Sequence, residues 1–437
     1  MTPISLSPSF SELVHVFVRI GCLSFGGPAG QIALMHRELV EDRKWIDEEQ
    51  YLHALNFCHL LPGPEAQQLA TWIGWRLHGV KGGLAAGMLF VVPGAFVILA
   101  LSILYAYAAN FDWFAALFLG IKAAVLAIVV QALIRIGGRA LNTRFKQIVA
   151  VIAFLALFLF NLPFPVVVLG AGVIGIIVTS KRPEWLALKA SSVALPGGPG
   201  PWGATLRTVL VWLAIWAAPM LVVLMTVGPD HVLWHIGSFF SQLAVVTFGG
   251  AYAVLAYMAQ EAVQGYGWLS AGEMADGLGL AETTPGPLIM VTQFVGYLAA
   301  FRAPEPFTPL VAGIIGAALT TWVTFAPCFL WIFALAPWIE RLENAKWLKG
   351  GLAVLTAAVV GVIANLTAWF ALHVLFATVN ESQIGQVRLY IPEWSSFSWQ
   401  AAVLAMLAAV LIFRLGWNVI RVLAAVGLGG LALGWLT

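Results

Sequence analysis

Residues 23–31 read LSFGGPAGQ and residues 60–74 read LLPGPEAQQLATWIG, and both stretches lie in sequence apolar enough for a bilayer. Gly-Gly-Pro and Pro-Gly-Pro inside such sequence rule out two uninterrupted spanning helices, because proline removes a backbone donor and clashes with the preceding turn. The backbone has to open there. Opened backbone at membrane depth has unpaired N–H and C=O groups, which persist only where protein buries them or where they line a wet cavity. The breaks therefore point to a solute site.

The pattern returns 223 positions later. Thr247-Phe248-Gly249-Gly250 matches Ser24-Phe25-Gly26-Gly27, and Pro285-Gly286-Pro287 matches Pro62-Gly63-Pro64. Met35, Glu38, Val40 and Trp45 have identical partners in Met258, Glu261, Val263 and Trp268. Twelve of the forty-one ungapped positions from 24 to 64 are identical, which marks an internal duplication. After a gain of eleven residues near 303–307 the alignment resumes, so that Pro93 faces Pro327 and Lys122 faces Thr356.

A chain of 437 residues with 61% hydrophobic and 10% charged residues and a mean hydropathy of +0.92 is a polytopic membrane protein, not a soluble globule. The net charge of +2 is small and its basic residues are scattered, so no nucleic-acid partner is expected. Cys22, Cys58 and Cys328 lie in apolar segments without CxxC spacing and read as small core residues. Met1 to Glu12 has no basic leader, so no cleaved signal is expected.

Ser9 to Met35 is the first broken segment, His36 to Gln50 a solvated loop or surface helix, and Tyr51 to Trp75 the second broken segment. Unbroken candidates follow at 82–108, 113–134, 147–160 and 165–180. A polar, Pro/Gly-rich linker from Lys181 to Trp202 and an extra apolar segment, Leu206 to Val227, precede the second copy. That copy has broken segments at 233–260 and 273–300 and unbroken ones at 308–335, 350–378, 398–413 and 416–436. Hydropathy alone counts thirteen segments.

The loops with Arg37, Arg43 and Lys44, with Arg76 and Lys81, from Arg135 to Lys146 and from Lys181 to Arg207 are all basic. The positive-inside rule puts all four in the cytoplasm if Tyr51 to Trp75 enters and leaves by the same face. With all four broken segments re-entrant, nine crossings remain, the N-terminus is cytoplasmic and Thr437 is periplasmic. The odd count before the second copy inverts it, and its acidic Glu261 to Asp276 loop falls outside. The expected fold is all-α and polytopic. It has two inverted-topology repeats, 1–180 and 231–437, each with two broken re-entrant hairpins and about four transmembrane helices, joined by a linker and connecting helix over 181–230. Such repeats are common in secondary transporters, with the substrate near the midplane.

Each break supplies a new helix N-terminus, which offers free N–H groups and a positive dipole end to an anion. Pro64 opens EAQQLATWIGW and Pro287 opens LIMVTQFVGY. The expected cradle is Phe25, Gly26, Gly27, Pro28, Pro62, Gly63 and Pro64 facing Phe248, Gly249, Gly250, Thr284, Pro285, Gly286 and Pro287, with Gln67, Gln68, Thr284 and Thr292 as donors to a bound anion. The plainer alternative is that Gly and Pro only kink packed helices. Lys122 sits about 15 Å from either end of its segment at 1.5 Å per residue, and intramembrane charge is a functional hypothesis by default. It binds the substrate anion, or it snorkels or pairs with a carboxylate such as Glu65. His59, Glu65 and Glu282 flank the Pro-Gly-Pro turns and are candidate proton carriers or structural hydrogen-bonding groups. No HExxH, paired carboxylate or nucleophile-with-base spacing lies in the apolar segments, so neither enzyme, metal nor cofactor is expected.

LSFGGPAGQIALMH, WIDEEQY, LLPGPEAQQLATWIGWRLHG and FVVPG together resemble the chromate ion transporter family, and TFGGAYAVLAYMAQE with TTPGP resembles the second half of its two-domain form. The resemblance covers nearly the whole chain. It implies a bacterial inner-membrane carrier that exports chromate and confers chromate resistance, with sulfate or another tetrahedral oxyanion as the alternative substrate. Proton coupling and a homodimer stay open, and a passive anion channel is the rival reading from a different class.

Overall fold

The computed structural model describes residues 8–25, 27–109, 111–187, 202–248 and 251–435. The first copy starts with α1 (Phe10–Leu23), opened by a capping box in which the Ser9 hydroxyl accepts from Glu12 N–H and the Glu12 carboxylate accepts from Ser9 N–H. Helix α2 (Gly27–His36) widens into a π turn over Arg37–Asp42. Helix α3 (Glu48–Cys58) follows, and after the break comes α4 (Glu65–Ala108).

Helix α4 is two arms rather than one rod. His78 and Gly79 leave helical geometry, Gly79 at φ +60°, a region that glycine enters without steric penalty. A Cβ on Gly74 would lie 2.3 Å from the Gly82 carbonyl oxygen, and one on Gly82 would lie 2.2 Å from that of Gly74. Residues eight apart touch this way only when the chain folds back, so the basic loop expected between Arg76 and Lys81 is a tight turn.

Helices α5 (Asp112–Ala140), α6 (Arg144–Phe158) and α7 (Phe164–Lys181) complete the first copy, and α8 (Trp202–Thr226) connects to the second. There α9 (Val232–Val246), α10 (Ala251–Gln260) with a π turn over Glu261–Gly265, α11 (Ala271–Thr283) and α12 (Val291–Arg302) repeat the opening elements. They are followed by α13 (Pro309–Leu335), the short α14 (Ile339–Asn344) and α15 (Lys346–Leu375). A two-stranded antiparallel hairpin, β1 (Val379–Ile384) with β2 (Val387–Pro392), precedes α16 (Trp399–Phe413) and α17 (Val419–Gly434).

The duplication is visible at the level of single hydrogen bonds. Trp45 and Ile46 N–H both donate to Leu39 O, and Trp268 and Leu269 N–H both donate to Ala262 O. Lys44 holds φ +53° where the second copy has Gly267 at +63°. Equal offsets in sequence thus give equal local backbone, including the two π turns.

Among the described residues, six helices are long and apolar enough to cross a membrane: α4, α5, α7, α8, α13 with the turn after it, and α15. Helix α8 shows why lipid is needed, since only Val223 of its twenty-five residues is buried. It docks on α13 through two tryptophans, Trp216 Nε1 donating to Val323 O and Trp322 Nε1 to Ile215 O, at 3.1 and 3.3 Å. The protein is an all-α, polytopic membrane protein.

The helices gather into two compact units, and each draws on both copies of the repeat. One contains α1 to α3 and most of α4, with α8, α9 and α12 to α14. The other contains α5 to α7, α10, α11, α15, the hairpin, α16 and α17. In the latter, small residues let helices close in: a Cβ on Gly120 of α5 would lie 2.2 Å from the Val426 carbonyl of α17. The hairpin, which the hydropathy pattern does not announce, covers the end of α6. Arg388 N–H donates to Leu159 O and its guanidinium to Leu157 O, satisfying carbonyls the helix leaves unpaired.

Two expectations are corrected here. His36 to Gln50 is helical over Arg37–Asp42, one of the two expected forms, and buries Glu38, held by Arg43 at 2.6 Å and Arg19 at 3.4 Å. Asp276 is not in an acidic loop, since α11 starts at Ala271 and carries Asp276 buried within it. Cys58 and Cys328 are buried as expected, but Cys22 is exposed on α1.

Candidate functional site

The two pairs of breaks complete one another. At the end of α1 the Ser24 hydroxyl donates to Ile20 O, and at the end of α9 the Thr247 hydroxyl donates to Leu243 O, each tying the side chain back into its own helix. The carbonyls of these residues turn outward. Gly63 N–H donates to Thr247 O at 2.8 Å, and Gly286 N–H donates to Ser24 O at 2.9 Å. Since Ser24 is equivalent to Thr247 and Gly63 to Gly286, the first copy's turn is closed by the second copy's break and the reverse. The two closures are reciprocal between the copies.

Packing repeats the exchange. A Cβ on Gly63 would meet Cys328 Sγ at 3.0 Å, and one on Gly286 would meet Gly94 Cα at 3.3 Å, and Gly94 and Cys328 are themselves equivalent positions. Both turn glycines have positive φ, +118° for Gly63 and +95° for Gly286, which a side chain would strain. Gln31, a residue of the opening stretch that was not singled out, adds its Nε2 donor to Gly286 O.

Around this crossing lie buried polar groups with little to satisfy them. Gln68 Nε2 donates to Pro62 O at 2.6 Å while its Oε1 has no partner. Gln67, fully buried, has neither amide atom paired, and Gln31 Oε1 is likewise unpaired. Buried amide groups cost roughly 1–3 kcal/mol each when left unpaired, so the site is built for something polar. Thr292 is spent locally, its hydroxyl donating to Ile289 O, and Thr284 is buried. Phe25 and Phe248 donate their N–H groups back to Leu23 and Val246, and Gly27 at φ +67° opens α2 with Pro28 next to it. Gly26, Gly249 and Gly250 lie outside the described residues.

The titratable candidates separate by copy. In the first, His59 Nδ1 pairs with Glu65 Oε1 at 3.1 Å across the Pro-Gly-Pro turn. In the second, Glu282 is buried and accepts from the Tyr252 hydroxyl at 2.9 Å.

Lys122 belongs to the other compact unit, on α5. It pairs with Asp276 of α11, Nζ to Oδ1 at 3.3 Å, rather than with Glu65, and the second oxygen of Asp276 accepts from the Tyr105 hydroxyl at 2.6 Å. An uncompensated charge at a helix centre costs about 2.5–3.5 kcal/mol by insertion scales, which the ion pair offsets. Neither Asp276 nor Tyr105 stood out in the sequence. The signal was there for Asp276, whose carboxylate is followed directly by the apolar run GLGLA.

Comparison with known proteins decides the family of this broken, duplicated membrane fold. The model of the chromate transporter family matches residues 11–176 and 234–434. The chain belongs to the chromate transporter family. Within that family it is similar to a chromate transport protein of Pseudomonas aeruginosa, 32% identical over 97% of this chain and 92% of the relative. A chromate transport protein of Cupriavidus metallidurans is 27% identical over 81% of this chain and 80% of its own length. A probable chromate transport protein of Synechococcus elongatus is 26% identical over 82% and 84%. No solved structure matches the chain. The chain is thus a multi-pass membrane protein of the two-domain chromate transporter type.

Proposed function

We propose that this chain is a secondary carrier that exports chromate from the cytoplasm by alternating access and so confers chromate resistance. The observation that carries the reading is the reciprocal closure of the two breaks, Gly63 on Thr247 and Gly286 on Ser24, with Gln67 buried and unpaired beside it. Two copies that meet at shared breaks can rock against one another there, and such rocking is how repeat-built carriers reach alternating access. Membership of the chromate transporter family supports the substrate.

In this reading the Gly-Gly-Pro and Pro-Gly-Pro backbone, with Phe25, Phe248, Gln67, Gln68, Thr284 and Thr292, contacts the anion at the breaks, and Lys122 is a charged group that binds it. The N-terminus is cytoplasmic, the C-terminus periplasmic and the second copy inverted, with the four broken segments re-entrant. The membrane potential favours export: two negative charges moving outward gain roughly 4.6 kcal/mol at 100 mV, at about 2.3 kcal/mol per charge. Transport therefore runs without a proton gradient if it must, while His59, Glu65 and Glu282 are the groups that would couple it to one. The protein catalyses no reaction.

Labelled chromate flux into inside-out vesicles tests this, with and without a pH gradient and with sulfate as competitor. Saturable uptake, accelerated by unlabelled chromate on the far side, is the expected result. Linear flux without such acceleration would make the protein a channel, and sulfate uptake with chromate excluded would change the substrate. A C-terminal reporter active only in the cytoplasm would overturn the topology.

A further inference from the structure

The Lys122–Asp276–Tyr105 cluster is not part of the repeated scaffold. At the equivalent positions of the duplication stand Thr356, His53 and Ile339, and none can rebuild the ion pair. Matching helices therefore fold in one copy without it, and a buried pair that the fold does not need is weak evidence for stability. Something else retains it.

The geometry of the pair is uneven in a way that suits exchange of one partner. The Lys122 side chain keeps 23% of its surface exposed while that of Asp276 keeps 8%. Asp276 is the more deeply buried partner of the pair. No side chain stands at Gly272, where a Cβ would come 3.8 Å from Lys122 Nζ. An ammonium has three donors, and Asp276 Oδ1, 3.3 Å from Nζ, accepts none of them with hydrogen-bond geometry. Asp276 has a second support independent of Lys122, because the Tyr105 hydroxyl holds Oδ2 and is itself fixed by edge contacts with Phe114 and Phe118 at 5.7 and 5.4 Å. A carboxylate held this way can give up the lysine and still have a donor.

We propose that Asp276 is the internal counter-ion of the unloaded carrier: its carboxylate neutralises Lys122 when no oxyanion is bound, yields the ammonium when one arrives, and takes it back after release. The proposal rests on the carrier reading above and adds what happens to the empty protein. An unpaired ammonium in the bilayer is costly, so a carrier without an internal substitute for its anion would change sides only when loaded. Asp276 is what lets it return empty.

The test separates net transport from exchange. Wild-type protein, Asp276→Asn, Tyr105→Phe and Lys122→Gln are reconstituted in vesicles, and labelled chromate is followed into vesicles that are empty or preloaded with unlabelled chromate. Asp276→Asn is expected to lose net uptake by about tenfold or more while exchange stays within about twofold, since only the empty return step loses its counter-ion. It should also bind chromate more tightly in equilibrium dialysis. Tyr105→Phe, which loosens Asp276 without removing it, should move net uptake in the same direction by a few-fold and guards against an Asn variant that fails to fold. Lys122→Gln should lose both fluxes. A merely structural pair predicts that net uptake and exchange fall together in Asp276→Asn, and that result, or no change in either, overturns the proposal. A wild type without saturable, exchange-stimulated flux defeats the carrier reading, and the counter-ion role with it.

Discussion

Helix α3 is capped by the Asp47 carboxylate and α11 by the Ser270 hydroxyl, at equivalent positions, and both run into Pro-Gly-Pro. Their surroundings differ sharply. Four of the eleven residues of α3 are buried, whereas α11 buries every residue from Met274 to Glu282 against α5, α15 and α17. His53 of α3 is half exposed beside Glu49, and its counterpart Asp276 is enclosed with Lys122. His59 is open and paired with Glu65, and its counterpart Glu282 is enclosed with Tyr252. The backbone of the duplication has been kept while the side chains in it have taken different work. The copies share a turn and not a chemistry.

The largest effect is expected at the shared turn itself. Alanine at Gly63 or Gly286 meets strain of roughly 1–2 kcal/mol from positive φ and, at Gly63, contacts near 3 Å to Gln68 and Cys328. Both variants should lose most of their folded yield and flux, measured by size exclusion and vesicle uptake. Sensitivity at one glycine alone would mean the two closures are not equivalent. Exchanging the residues behind the turns comes next: Gly94→Cys drives a Cβ to 2.4 Å from Pro285 O and should cost about 1–3 kcal/mol in thermal unfolding. Cys328→Gly removes a small side chain and should cost less.

Charge gives a smaller effect that is confined to one copy. Lys122→Gln should lower chromate flux about tenfold, as loss of a charged contact does, while Thr356→Val changes it by less than about twofold. Equal losses would show that position rather than charge matters. The smallest effect belongs to Ser24→Ala and Thr247→Val, which remove hydroxyls bonded within their own helices and keep the carbonyls that cross between copies. Each should cost about 0.5–1.5 kcal/mol, and a larger loss in one would locate the weaker closure.

The helical, multi-pass fold was legible because breaks, apolar runs and a repeat of identical spacing are local features. The helices from α5 to α8 and from α15 to α17 fall close to the segments read from hydropathy. What was not legible depends on partners far apart in the chain. Lys122 announced a missing carboxylate, but nothing nearby said whether that was Glu65 or Asp276, and a charge-averaged reading left Asp276 in a loop. The crossing of Gly63 with Thr247 could not be read either, since backbone donors and acceptors carry no sequence signal. Hairpin β1–β2 escaped because two six-residue strands between apolar helices are too short to stand out, and only their pairing with each other defines them.

The crossed closure also bears on why both copies sit in a single polypeptide. A chain with one copy would present a glycine N–H with no acceptor and a serine carbonyl with no donor, and would have to find a second chain to supply them. Joining the copies turns that encounter into an intramolecular one at an effective concentration on the order of millimolar. It also ends the requirement that both partners be the same. Once each half always meets one particular other half, a lysine can arise on one side and its aspartate on the other, which two identical subunits could hold only in duplicate.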